Sequence, residues 1–225
     1  MMNRRDFSIV SSLLGLGLLP LAGSARAQTP AFQADTDYQP LPRQVPVDAP
    51  AGKVEVIEFF SYNCPHCFVF EPVLENWLKT LPSYAVFRRV PVPFVGNDRN
   101  DLNAKQRLYY TLEIMGKANE FQYKFFQAVQ PPGSRYLSIV GEKAIIDWVK
   151  RQPGLDSKKF LEIFHSFTVT SKASRATQLT NGYQVQAVPS LGVAGRWYID
   201  VERARTEARM LQIVDSLIAQ AHRGA

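Results

Sequence analysis

The stretch from Lys53 to Phe94 does most to limit the fold. "KVEVIEFFS" (Lys53–Ser61) is apolar, rich in β-branched and aromatic residues, and bounded by Gly52 and Asn63. Such a run reads as a buried central strand. Phe70, Val73, Leu74, Trp77, Leu78 and Leu81 then recur at helical spacing. Pro65 suits the first turn of that helix, where its missing N–H costs nothing, and Pro82 stands just past the end. "YAVFRRVPVPF" (84–94) reads as a second strand that stops at its prolines. Strand, helix and strand make a βαβ unit, whose crossover is right-handed. The chain's two cysteines, Cys64 and Cys67, fall where the first strand turns into the helix.

The remaining texture surrounds this unit. Residues 28–52 hold Pro30, Pro40, Pro42, Pro46 and Pro50, so they read as an extended leader without regular structure. From about Asp98 to Gly182 the pattern is helical. Helices are expected over residues 102–116, 119–130 and 138–152. A fourth carries Phe160, Ile163, Phe164 and Phe167 on one apolar stripe, and a fifth covers Lys172–Thr180. Nothing repeats at a fixed period. "VPSLGVAGRWYI" (188–199) reads as a hairpin turning near Gly195, and Leu211, Val214, Ile218 and Ala221 form the inner face of a terminal helix. The simplest architecture is an α/β core, residues 53–98 and 183–225, with an inserted helical domain over 99–182.

The 225 residues suffice for one sizeable domain with a real core. The first 27 read as an export signal. "MMNRRDFS" supplies positive charge, Ile9–Gly23 an apolar run too short to span a bilayer comfortably, and Ala25–Ala27 a small-x-small cleavage pattern. A mature chain would begin at Gln28. Arg4-Arg5-Asp6-Phe7 resembles the twin-arginine motif, and a general secretory signal fits as well. Cleavage would remove three arginines and one aspartate, taking the formal charge from +6 to +4. The remaining charge is scattered without a basic block, which argues against a nucleic-acid partner. Outside the reducing cytosol two thiols can persist as a disulfide.

Three chemistries fit two cysteines three apart. As a staple, the pair closes a very short loop and stabilises less than the roughly 3 kcal/mol of a 15-residue one. As a zinc site it lacks ligands: structural zinc takes four, there is no second CxxC, and His66 would crowd the pair it separates. As a redox pair, Cys64 would stand at the helix N-cap, where free N–H groups and the macrodipole favour an anion. His66 could add a hydrogen bond or a charge. A stabilised thiolate favours the reduced form and makes the disulfide a stronger oxidant. Cys67, one turn further in, should be more buried, with a higher pKa.

"FFSYNCPHC" in this setting, with "AVPS" far downstream and helices between, resembles the DsbA family of thioredoxin-fold thiol–disulfide oxidoreductases. The likeness runs over most of residues 53–222. The family is itself the reference case for a depressed cysteine pKa and an oxidising couple, so neither is a forecast of the sequence. The resemblance implies a thioredoxin-like core and a redox-active Cys64–Cys67 disulfide, with Pro65 and His66 between the cysteines. It also implies a cis bond before Pro189 facing Cys64, and a Val188 backbone able to pair with an extended substrate segment. Glu58 is the odd residue of its strand. If the strand is regular it shares a face with Val54, Val56 and Phe60, and burial raises its pKa; a partly exposed charge at a sheet end is the alternative. By resemblance Glu58 lies beneath the cysteines and could exchange a proton with Cys67. His165 and His222 read as surface or satisfied core residues.

The function so implied is dithiol oxidation. The Cys64–Cys67 disulfide would pass to newly exported, unfolded cysteine-containing proteins in the periplasm. A DsbB-like membrane protein would then reoxidise the pair. A monomer is expected, with no cofactor, metal or nucleic acid. One rival is a disulfide isomerase or reductase, although residues 28–52 are too few for the separate dimerisation domain that isomerases of the superfamily usually carry. The other is a holdase that only grips unfolded chains.

Overall fold

The structure, a computed structural model, describes residues 32–224. The expected export signal and its cleavage point lie outside the described residues. The chain runs β1 (Gln39–Pro40), β2 (Val54–Phe60), α1 (Pro65–Leu78), β3 (Ala85–Pro91), α2 (Arg99–Ile114), α3 (Ala118–Val129), α4 (Gly141–Lys150), α5 (Ser157–Phe164), α6 (Phe167–Gly182), β4 (Ser190–Val193), β5 (Trp197–Asp200), α7 (Val201–Ala204) and α8 (Glu207–Arg223). The strands form one sheet in the order β1-β5-β4-β2-β3. β2 pairs parallel with β3, as a βαβ unit requires, and antiparallel with β4.

All seven residues of β2 are buried, because helices cover both faces of the sheet. Val54 and Val56 pack with Phe70, Leu74 and Trp77 of α1 and with the inner face of α8. Ile57 and Phe59 belong to a larger core filled by α2 to α6. Phe60 joins this second core instead of following Val56. At the end of the strand it meets Tyr109 of α2 and Phe126 of α3, at ring separations of 5.4 and 5.9 Å.

Several expectations need correction. The proline-rich leader does hold regular structure: Gln39 and Pro40 pair with Tyr198 and Trp197 of β5. Pro40 is tolerated because the pairing is on a sheet edge. The fourth helix does not carry Phe167. Ser166 caps a new helix by accepting from Val169 N–H, and Phe167 at its first position is 85% exposed. The fifth helix is correspondingly longer than Lys172–Thr180. Val73 is exposed, Leu81 lies beyond α1, and α4 starts only at Gly141. The short α7 has no periodicity to announce it; Asp200 caps it by accepting from Arg203 N–H.

Candidate active site

The end of β2 sets the site. The chain leaves the strand at Phe60, turns through Ser61–Asn63, and enters α1 at Pro65. Cys64 is the N-cap, with extended backbone angles (φ −93°, ψ 115°). Its Sγ accepts from the Cys67 N–H at 3.3 Å, replacing the hydroxyl or carboxylate usual at an N-cap. Both cysteines are unbridged thiols; Cys64 is 4% exposed and Cys67 fully buried. Pro65 and His66 are exposed. Pairing of β4 with β2 sets Ser190 opposite Phe59, which carries the preceding residues to the cysteines. The Val188–Pro189 bond is cis. The Cys64 thiol donates to Val188 O at 3.3 Å.

The two thiols titrate in opposite directions. A hydrogen bond from the Cys67 thiol, then the backbone N–H groups of Cys67 and His66, hold the Cys64 thiol down at about 7 against the cost of burial. Burial first, then the hydrogen bond to Cys64 and its charge, push Cys67 well up. His66 thus acts on Cys64 through its main chain. A thiolate therefore forms at Cys64 first, and Cys67 keeps its proton.

Beneath the pair lies a buried charged cluster. Glu58 on β2 stands opposite Arg89 on β3, with Arg89 Nε 3.1 Å from Glu58 Oε2. The two are at ion-pair distance without hydrogen-bond alignment. Arg89 Nη2 donates instead to Glu71 (2.7 Å) and Glu75 of α1. Gln122 of α3 donates to Glu71 and accepts from the Tyr62 hydroxyl at 2.7 Å. Complete burial and the neighbouring Glu71 push Glu58 up to about 8, over the opposing pull of Arg89. Its negative charge is among the influences that raise Cys67.

Among the expected site residues, the fold brings Cys64, Cys67, Val188 and Pro189 together, with Glu58 buried on the strand that leads to them. Arg89, Glu71, Tyr62 and Gln122 escape a reading of the sequence alone. Glu58 and Arg89 could have been matched by aligning the two strands, and Glu71 lies on the buried stripe of Cys67, Phe70 and Leu74. Gln130, which donates to Tyr62 O (2.7 Å) and Cys64 O (3.1 Å), has no local signal. His165 and His222 have partners: His165 contacts Arg107 and Glu142, and His222 stacks on Tyr84. Among the described residues, no group of three or more His, Cys, Asp or Glu is arranged to hold a metal ion.

Comparison with known proteins agrees with this geometry. The family model described as DSBA-like thioredoxin domain matches residues 55–212. The thiol:disulfide interchange protein DsbA of Burkholderia cepacia is 34% identical over 92% of this chain and 93% of its own length. That of Pseudomonas syringae pv. tomato is 35% identical over 95% and 94%. The crystal structure of Pseudomonas aeruginosa DsbA superposes with a TM-score of 0.77 at 31% identity, covering 86% of this chain and 96% of that one.

Proposed function

The chain belongs to the DsbA family and is a thiol:disulfide oxidoreductase, and from that premise we propose that Cys64 and Cys67 are its redox pair and act as a dithiol oxidase. A substrate thiolate attacks Cys64 Sγ of the disulfide. A substrate–Cys64 bond forms, the Cys64–Cys67 bond breaks, and Cys67 leaves with the electron pair. Because Cys67 holds its proton strongly, it takes one on leaving. Glu58, still protonated at neutral pH, is the buried group suited to supply it. A second substrate thiolate then attacks the substrate sulfur and expels Cys64 as a stabilised thiolate. The substrate loses two electrons to the protein and the protons of its two thiols to solvent. The protein is left with a Cys64 thiolate, a Cys67 thiol and a Glu58 that takes its proton back from solvent.

Val188 and Pro189 line the substrate side of the pair. The carbonyl of Val188, which takes the Cys64 thiol in the reduced protein, is the group an extended substrate backbone would engage. Pro65 and His66 hold the turn, His66 through its N–H. Substrates are cysteine-containing proteins, here newly exported ones in the periplasm. Residues 1–27 would direct export by either route, and a quinone-linked membrane protein of the DsbB kind would reoxidise the monomer. The helices of residues 99–182 act as an insertion in a thioredoxin-like core of 53–98 and 183–225, after a leader of 28–52.

The observation that carries this reading is the Cys64 sulfur at a helix N-cap, within reach of a backbone amide and of the Val188 carbonyl. The test is oxidation of a reduced, unfolded cysteine-containing protein by the oxidised mature chain, followed by loss of free thiols. Cys64→Ser should abolish the reaction. Unchanged thiol loss with that variant would remove the redox role and leave only a chain-gripping one.

A further inference from the structure

Asn63, the residue before Cys64, is held by groups from the helical segment. Its side-chain amide donates to Asp101 Oδ2 at 3.0 Å and to Val95 O at 3.2 Å. Its side-chain oxygen accepts from Lys105 Nζ at 2.6 Å. Asp101 and Lys105 lie one turn apart on α2, are 2% and 3% exposed, and pair at 2.7 Å. The other Asp101 oxygen accepts from Gly141 N–H, at the start of α4, at 2.8 Å. One carboxylate thus ties together the active-site turn, α2 and α4.

Removing a lysine and an aspartate from water is costly, and an apolar pair of similar volume would often serve stability as well. The best-attested return on a buried pair is a fixed register. The loop that completes the cluster is also built for close approach. Val95 holds φ at +81°, strained for a β-branched residue. Gly96 sits at φ +133°, where a Cβ would come within 3.3 Å of the Asn63 amide.

We propose that Asn63, Asp101 and Lys105 form a positioning clamp that fixes the turn before α1, so that the helical segment sets how well the N-cap amides engage the Cys64 sulfur. The three residues touch neither substrate nor the reacting sulfurs. They act through Cys64, and the inference rests on Cys64 being the reactive thiol of the proposed function. Asn63 joins Cys64 through one peptide bond, so a displaced Asn63 rotates the N-cap. The sulfur then loses alignment with the N–H groups of His66 and Cys67, which strengthen sharply with geometry. A DsbA-like chain without an Asn at this position would need another anchor for the turn.

The test is a titration of Cys64 thiolate absorbance in the reduced full chain, paired with redox equilibrium against glutathione. Asn63→Ala should raise the Cys64 pKa by about one unit, a roughly tenfold loss of affinity for the thiolate state. The glutathione equilibrium should move toward oxidised protein by a similar factor. Replacing the ion pair by a neutral one of like shape, Asp101→Asn with Lys105→Met, should shift both quantities the same way. The triple variant should shift them no further, because one clamp cannot be lost twice. If Asn63→Ala is too unstable to titrate, Asn63→Ser, which cannot span both partners, takes its place. Variants that lose stability with an unmoved thiolate titration, or whose shifts simply add, would overturn the clamp while leaving the redox reading intact. A parent protein whose Cys64 stays protonated well above neutral pH would overturn both.

Discussion

Glu58 shows how a single buried group couples chemistry to stability. Its pKa in the fold is about 8, against 4.5 for an unperturbed glutamate. Between those values the native state binds more protons than the unfolded chain. Stability therefore falls as pH rises from about 4.5 to 8. The oxidised protein is the form in which to see this, since its cysteines do not titrate. Glu58→Gln should flatten that dependence and raise stability at pH 8 by on the order of 2–4 kcal/mol, read from denaturant unfolding at pH 5 and pH 8. An unchanged pH dependence would show that Arg89 already keeps Glu58 ionised. The same substitution should slow release of Cys67, because the buried proton source is gone. At this scale the sequence exposes Glu58 as a charge inside an apolar strand, and the cysteines as a pair. It does not expose Arg89, Glu71 or Gln122, since strand register and helix docking decide which charges meet.

Elements place these residues through ends and turns more than through their middles. The N-terminus of α1 brings the amides of His66 and Cys67 to the Cys64 sulfur. The β4–β5 turn does comparable work at the opposite end of the strands. Gly195 there has φ +67°, its O accepts from Val45 N–H at 2.8 Å, and its N–H donates to the Tyr183 hydroxyl at 3.0 Å. A Cβ on Gly195 would lie 2.0 Å from Val45 O, where backbone must move. Gly195→Ala should therefore destabilise the protein by on the order of 2–4 kcal/mol and release residues 41–47 from the sheet edge. Denaturant unfolding measures the first effect and amide exchange at Val45 the second; an exchange rate equal to that of the parent would contradict it. Period and prolines reveal most elements. What fails is what depends on a partner: β1 exists because β5 offers an edge, and Phe167 leaves the stripe because Ser166 restarts the helix.

Taken whole, the molecule is a sheet whose central strand ends at a helix N-terminus, with helices α2 to α6 closing over that end. The order β1-β5-β4-β2-β3 is not written in any local pattern, because β4 reaches β2 across six helices and a strand. The family resemblance supplies what period and composition lack, including the approach of Val188–Pro189 to Cys64. The central physical claim is that this enclosure stabilises the dithiol, through a Cys64 thiolate, more than the disulfide. Redox equilibrium of the whole protein with glutathione at pH 7 tests it most directly. The account predicts an oxidising couple, with a potential less negative than about −200 mV. A value near the roughly −270 mV of thioredoxin would mean that the fold favours the disulfide, and would contradict it.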